Sequence, residues 1–272
     1  AAGGMGVVVC LPPAPGEAEI PRLLEAARKV MAGQGASRFV VVQHGWGGGG
    51  FARTLHLEMP DAVVCVVNVP LDHPRSATWV RDEAMAGTGF VEASYDSNGV
   101  RREPRLKLLV ESADSYGRAS ILPSGDQPES FGSAAASPHL SADDVLLVTG
   151  GGKGIAAECA LALGRRTGVR LALLGRAKPE LDAELASNLE RFSAAGLRCR
   201  YYAADVTDAD AVRAAVEQAE RELGHVTAVL HGAGTNIPQL LSSLDEAAIL
   251  RTLGPKTQGL RNVLAAVQAD RL

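Results

Sequence analysis

The residues whose types and spacing best suit chemistry lie between 149 and 176. Three consecutive glycines, Gly150 to Gly152, follow an apolar run that ends at Val148, and Gly154 opens an alanine-rich stretch of helical length. Strand, glycine turn, helix is the order in which backbone N–H groups and a helix N-terminus face an anion. Gly150 and Gly154 let the backbone approach a pyrophosphate, and the small Ala156 lets the helix pack closely on the strand. About 20 residues further on, where an NAD-binding fold offers Asp or Glu to the ribose 2′-hydroxyl, the next strand ends instead in Gly175 and Arg176. A guanidinium suits a 2′-phosphate through paired, charge-assisted hydrogen bonds. That points to NADPH rather than NADH; the plainer reading of Arg176 is a solvated loop charge.

Three further groups follow the same rhythm. Asp205 and Val206 stand just after the third strand, where a carboxylate and an apolar neighbour would hold an adenine edge; Asp205 is equally well a turn former. Gly232, Ala233 and Gly234 follow the fourth strand and let a nicotinamide ribose lie against backbone, or simply make a tight turn. Lys256 is expected at the start of the last helix, behind Gly254 and Pro255. A lone lysine there is normally solvated, and the helix dipole does not favour it. Beside a nicotinamide ribose its ammonium would lower the pKa of a nearby tyrosine and help pass a proton to a reduced carbonyl.

These residues need a frame, and hydrophobic periodicity supplies one. From 143 onward strands at 145–148, 169–174, 198–203 and 226–230 alternate with helices from Gly154, over 179–195, and along the face Val212, Ala215, Val216, Ala219 and Leu223. Thr207 and Asp210 read as a capping box for the last of these. Two more helical stretches are expected at 245–252 and 256–268. Such alternation argues for a doubly wound parallel sheet, which binds ligands at the carboxyl ends of its strands.

The first 115 residues read as a separate β/α unit. Strands are expected at 6–11, 39–42 and 62–70, helices from Ile20 to the stop at Gly33, over 51–58 and over 74–86, and a hairpin around Ser97–Gly99. Its own glycine cluster, 47–50, follows a strand, but without suitable anion partners a structural turn is the better reading than a phosphate cradle. Residues 116–142, rich in Ser, Ala, Pro and Gly, have a linker composition. The organisation expected is therefore 1–115, a linker 116–142, and a cofactor-binding unit 143–272.

Composition sets the outer bounds. A chain of 272 residues buries a proper core, and a net charge of −4 gives no basic footprint for nucleic acid. No apolar run reaches spanning length, so no membrane partner is expected and the setting reads as cytoplasmic. The four cysteines, Cys10, Cys65, Cys159 and Cys199, sit singly in apolar segments; their spacing fits no metal site, and buried free thiols are expected. The first residue is Ala, consistent with a piece of a longer polypeptide.

With these residues in view, the chain resembles a known family. VTGGGKGIA at 148–156, which holds Thr149, Gly150, Gly152, Lys153, Gly154 and Ile155, resembles the Thr-Gly-xxx-Gly-x-Gly cofactor turn of short-chain dehydrogenase/reductases, with Ala156 for the last Gly. Asp205–Val206 resembles the family's adenine position, and HGAG at 231–234 its Asn-Asn-Ala-Gly position, with His231 and Gly232 replacing the asparagines. GGGGFARTLHLEMPD at 47–61 and FVEASYDSNGVRREPRL at 90–106 narrow the resemblance to the ketoreductase domains of type I polyketide synthases, whose structural subdomain binds no cofactor. HGAGTN and LGPKTQGLRNVL are most similar to the iterative synthases that build enediyne cores.

The resemblance implies two Rossmann-like α/β units: a shortened structural subdomain, then an NADPH-binding subdomain lacking its last strands. It implies oxidoreductase chemistry in antibiotic biosynthesis, with hydride passing from NADPH to the β-keto group of a polyketide acyl chain. That chain would be tethered to an acyl carrier protein, and the other domains of the same synthase would be partners. It implies a catalytic role for Lys256, matched by LGPKTQGLRNV. The departures matter too. The loop after HGAG reads TNIPQ in place of Leu-Asp-Asp. The family's catalytic Ser and Tyr are expected beyond Leu272, since none of Tyr95, Tyr116, Tyr201 and Tyr202 has a Lys four residues on. The chain alone is thus expected to bind NADPH weakly or not at all and to show no turnover. The rival readings are a non-catalytic ketoreductase-like scaffolding module and a free-standing NADPH reductase.

Overall fold

The computed structural model describes residues 6–33, 37–106, 140–268, 270 and 272. The chain divides into two compact units. Within the described residues, one holds 6–106 together with Gln239–Glu246, and the other holds 140–238 and 247–272. Each is an α/β unit of the Rossmann type built on a largely parallel sheet.

The first unit runs β1 (Gly6–Cys10), α1 (Ile20–Ala32), β2 (Arg38–Gln43), α2 (Gly49–Glu58), β3 (Val63–Asn68), α3 (Ser76–Ala86), β4 (Phe90–Tyr95) and β5 (Arg101–Arg102). The sheet order is β1-β2-β3-β4-β5, parallel except for the last pair. Alternation along each strand separates two cores. Phe39, Val41, Val64 and Val66 face α1 and α2, with Leu23, Val30, Ala52 and Leu55, whereas Val40, Val42, Cys65 and Val67 face Trp79 of α3. The strand order keeps stepping the same way while α3 lies on the opposite face from α1 and α2. The crossover through α3 therefore has the opposite hand to the other two.

Residues 239–246 belong to this unit. Leu241 is buried in the α1/α2 core with Leu244 packed against it. Both carboxylate oxygens of Glu58 accept the Leu241 N–H, at 3.1 and 2.9 Å, and Arg28 donates to the Leu244 carbonyl at 3.0 Å. The sequence reading keeps these residues with the second unit; their apolar pattern says that they are buried but not where.

The second unit runs β6 (Val145–Thr149), α4 (Gly154–Thr167), β7 (Arg170–Gly175), α5 (Ala183–Ala194), β8 (Cys199–Ala203), α6 (Ala209–Leu223), β9 (Ala228–His231) and α7 (Glu246–Ala266). Its four strands are all parallel in the order β8-β7-β6-β9. Leu146, Val148, Leu171 and Leu173 meet α4 and α5 on one face, and Val145, Leu147, Ala172 and Leu174 meet α6 and α7 on the other. The sheet is doubly wound, as its runs of Leu and Val predict.

Four local expectations are corrected. The helix over 179–195 is a 3-10 turn, Pro179–Leu181, followed by α5, because the Asp182 side chain takes the Leu185 N–H at 3.0 Å and starts the helix afresh. The cap of α6 is Asp208, which accepts from Asp210 N and Ala211 N; no Thr207–Asp210 box forms, since the Thr207 hydroxyl is already committed to Asp205. The stretches 245–252 and 256–268 are one helix, α7, with Pro255 inside it, so Lys256 does not open a helix. The cysteines are free, but only Cys65 is buried; Cys10 and Cys159 are exposed and Cys199 is intermediate. The expected hairpin is β4 with β5. Residues 107–139, which hold Tyr116 and most of the 116–142 linker, lie outside the described residues.

Candidate functional site: a cleft at the carboxyl ends of the second sheet

A cleft of about 690 Å³ opens where β6, β7, β8 and β9 end. The turn after β6 forms its floor. Gly150 has φ +69°, and a Cβ there would sit 2.8 Å from the Gly232 carbonyl oxygen; only glycine lets the two turns touch. Its N–H is held by the Leu174 carbonyl at 2.7 Å. Gly152 lies against Leu185, and its carbonyl accepts from the buried Asn188 amide at 3.0 Å. Lys153 enters α4 in an extended conformation and gives that helix no side-chain cap. α5 and α6, by contrast, each start on an aspartate that binds their first N–H groups. Gly154, at φ +58°, faces open space. The uncapped N-terminus of α4, with its partial positive charge, thus borders the cleft at a point where no side chain fills it.

Lys153 borders the cleft as well, but its ammonium is paired with Asp182 at 2.6 Å. This hydrogen bond raises the lysine pKa and lowers that of the aspartate. Two residues of the turn lie elsewhere. Thr149 is fully buried beneath the cleft. Ile155 is 85% exposed and borders a separate shallow groove between α4 and α5.

The far wall is polar. Arg176, at the end of β7, stands 3.8 Å from Asp205, which follows β8. The other oxygen of Asp205 accepts from the Thr207 N–H and hydroxyl at 2.9 and 2.7 Å. Burial works to raise this carboxyl's pKa, but the Thr207 hydrogen bonds and the guanidinium outweigh it and hold the pKa below the usual carboxylate value. Asp205 is therefore a turn former through one oxygen and an Arg176 partner through the other. Val206 is buried against Gly259 of α7.

Tyr201 also lines this wall, unforeseen from the sequence because it sits mid-strand in β8. Its hydroxyl donates to the Ala177 carbonyl at 2.7 Å, and burial pushes its pKa up to about 12. Leu185 and Asn188, which seat the glycine turn, were equally unforeseen. The only signal was a polar Asn on the apolar face of α5.

The near wall is the turn Gly232, Ala233 and Gly234 after β9. Gly232 has no room for a Cβ, which would meet Ala156 at 2.7 Å, and the Ala233 N–H donates to the Thr149 hydroxyl at 3.2 Å. Lys256 reaches this turn from α7: its Cε lies 3.3 Å from where a Gly234 Cβ would stand. Pro255 beside it also borders the cleft. Cation, glycine turns and uncapped helix end thus converge on one crevice, a geometry suited to an extended, phosphate-bearing ligand. Among the described residues no cluster of His, Cys, Asp or Glu could hold a metal ion, and no helix is long and apolar enough to cross a membrane.

Residues 145–272 match the family model described as KR domain. The polyketide synthase PksL of Bacillus subtilis (strain 168) is 29% identical over 163 residues, which is 54% of this chain and 4% of that protein. The peroxisomal 2,4-dienoyl-CoA reductase [(3E)-enoyl-CoA-producing] of Rattus norvegicus is 33% identical over 126 residues, 46% of this chain and 42% of that protein. The chain thus spans a small part of the first relative and less than half of the second. Among solved structures, the first ketoreductase of the tylosin PKS aligns with a TM-score of 0.72 at 22% identity, covering 98% of this chain and 55% of that one. That likeness is one of fold.

Proposed function

We propose, since residues 145–272 match the family model described as KR domain, that this chain is part of a polyketide synthase ketoreductase that uses NADPH to reduce a β-ketoacyl chain carried on an acyl carrier protein. The observation that carries this reading is the open, uncapped N-terminus of α4 facing Arg176 across one cleft. When bound, the cofactor supplies the hydride. The first N–H groups of α4 would take the pyrophosphate, with Gly150 and Gly154 keeping side chains out of its way. Arg176 would take the 2′-phosphate, exchanging its 3.8 Å contact with Asp205 for paired hydrogen bonds. Asp205 and Val206 would flank the adenine, and Gly232, Ala233 and Gly234 the nicotinamide ribose.

Lys256 would place a positive charge beside the reacting carbonyl and favour the ionised form of a phenol brought next to it. Tyr201 is not that phenol, because its hydroxyl is committed to Ala177 and its pKa is raised to about 12. Tyr202 is not either, since it donates to Glu222 on α6. The sequences at 231–236 and 253–264 favour an iterative, enediyne-type synthase and an antibiotic product, and the free cysteines fit a cytoplasmic setting.

Titrating the 272-residue chain with NADPH, and with NADH as control, tests the reading through nicotinamide fluorescence. The cleft's floor and both walls lie within the chain, so weak binding with preference for NADPH is expected. No binding by a chain that still melts cooperatively would overturn the assignment of this cleft.

A further inference from the structure

We infer that His231 is a positioning residue for Lys256, fixing the turn of α7 that carries the lysine through a hydrogen-bond chain with only one proton arrangement. The inference rests on the role proposed for Lys256. His231 ends β9 opposite Thr149 of β6 in the parallel register. Its ring ties this strand to two other elements, β6 and α7. Nδ1 lies 2.8 Å from the Thr149 hydroxyl, and Nε2 lies 3.0 Å from the Pro255 carbonyl oxygen in α7.

The protons can be assigned by elimination. A carbonyl oxygen only accepts, so Nε2 must carry hydrogen. In the neutral ring Nδ1 then accepts, and the Thr149 hydroxyl donates to it. That leaves the hydroxyl oxygen free to accept the Ala233 N–H at 3.2 Å. The chain runs Ala233 N–H to Thr149, Thr149 O–H to His231, and His231 N–H to Pro255, with every group used once.

The anchor falls where α7 is least able to hold itself. Pro255 has no N–H, so the Arg251 carbonyl one turn back loses its helical donor and takes the Thr235 hydroxyl at 3.3 Å instead. The next turn of α7 carries Gly259, where a Cβ would meet Val206 at 2.6 Å, and beyond it Asn262 donates to the Val206 carbonyl at 2.9 Å. α7 is thus pinned on both sides of Lys256. The pin on the cleft side is the imidazole, bonded to the residue adjacent to the lysine.

Long-range 1H–15N correlation on the labelled full chain at neutral pH reads this directly. His231 should show a protonated, slowly exchanging Nε2 and an unprotonated Nδ1. A ring protonated at Nδ1, or an Nε2 proton that exchanges as fast as that of an exposed histidine, would overturn the inference with no variant required. In His231→Ala and His231→Asn the backbone and side-chain resonances of Lys256 should shift. They should return towards the wild-type positions in His231→Gln, whose amide reaches the place of Nε2, whereas that of Asn reaches only the place of Nδ1. Lys256 resonances indifferent to His231→Ala, or shifted alike by Asn and Gln, would also overturn it. None of these readings uses cofactor, so failure to bind NADPH would count against the proposed function and not against this tether.

Discussion

The two units answer the same topological problem in opposite ways. In each, two neighbouring strands send their chains to opposite faces of the sheet: β2 to α2 and β3 to α3 in the first unit, β6 to α4 and β9 to α7 in the second. Such a divergence opens a crevice at the carboxyl ends of the strands. In the second unit the crevice remains open. In the first it is filled from within. Gln43 accepts the Gly48 N–H at 3.0 Å, Asn68 accepts the Gly45 N–H, and His44 donates to the Val69 carbonyl at 2.8 Å. Side chains of Leu11, Pro15 and Val41 occupy the space around Gly47 and Gly48. The two glycine clusters thus differ in whether the surrounding side chains consume their N–H groups.

The largest expected effect tests how far the first unit depends on satisfying itself. Glu83, nearly buried in α3, accepts from Arg101 at 3.0 Å and from the Tyr95 hydroxyl at 2.6 Å. Glu83→Gln removes the buried carboxylate from the Arg101 guanidinium, which keeps only Glu103 at 2.6 Å as counter-charge, and should destabilise the first unit by about 2.5 kcal/mol. The Arg101 hydrogen bond, outweighing burial, holds the Glu83 pKa below its ordinary value of 4.5. A depressed carboxyl stabilises the fold above its unfolded pKa, and that contribution is lost as pH falls below 4.5 through the folded value. Hydrogen exchange should therefore quicken in residues 76–102 but not in 145–175 in the variant, and acid should quicken 76–102 by a smaller factor in the variant than in the wild type. Simultaneous loss in both segments would break the comparison.

Next come the paired glycines. Gly150→Ala meets both a strained φ and the Gly232 backbone, and Gly48→Ala meets Val41 at 2.5 Å. Each should cost about 2 kcal/mol in thermal or denaturant unfolding. Only Gly150→Ala should also remove NADPH binding. If Gly48→Ala weakens the cofactor as much, the first loop is not merely structural.

Smaller still is Arg176→Glu, expected to weaken NADPH about tenfold, roughly 1.4 kcal/mol, and NADH much less. Equal losses in a fluorescence titration would mean that the guanidinium does not read the 2′-phosphate.

How much of this was legible follows from the range of the interactions. Strands and helices could be read because periods of two and 3.6 are local. So could the ring of glycines and Arg176, since strand-end positions follow from the same periodicity. What escaped depends on distant partners. Pro255 looks like a helix stop until Thr235 is seen to satisfy the Arg251 carbonyl. Thr207 looks like a cap until Asp205 is seen to hold its hydroxyl. Cys10 looks buried because Val9 beside it is; but β1 is an edge strand, and Val8 and Cys10 share a face that stays exposed. Leu241 and Leu244 show as apolar, but only Glu58 and Arg28 reveal which unit receives them.

The smallest expected effect addresses the filled crevice itself. Gln43 is 5% exposed at the end of β2, and its side-chain oxygen is the acceptor for the Gly48 N–H that begins α2. Gln43→Leu keeps much of the volume but leaves that N–H without its partner, in a helix that has no other side-chain cap. The cost should be about 1 kcal/mol, the low end for an orphaned buried donor, because the rest of the loop retains Asn68 and His44. Urea unfolding should show that loss with no change in the number of NADPH equivalents bound. A second equivalent of NADPH, or inorganic phosphate protecting the loop from hydrogen exchange in the variant alone, would mean that one glutamine is all that keeps the first crevice from binding an anion. The two units would then differ by a single side chain rather than by the packing of the whole turn.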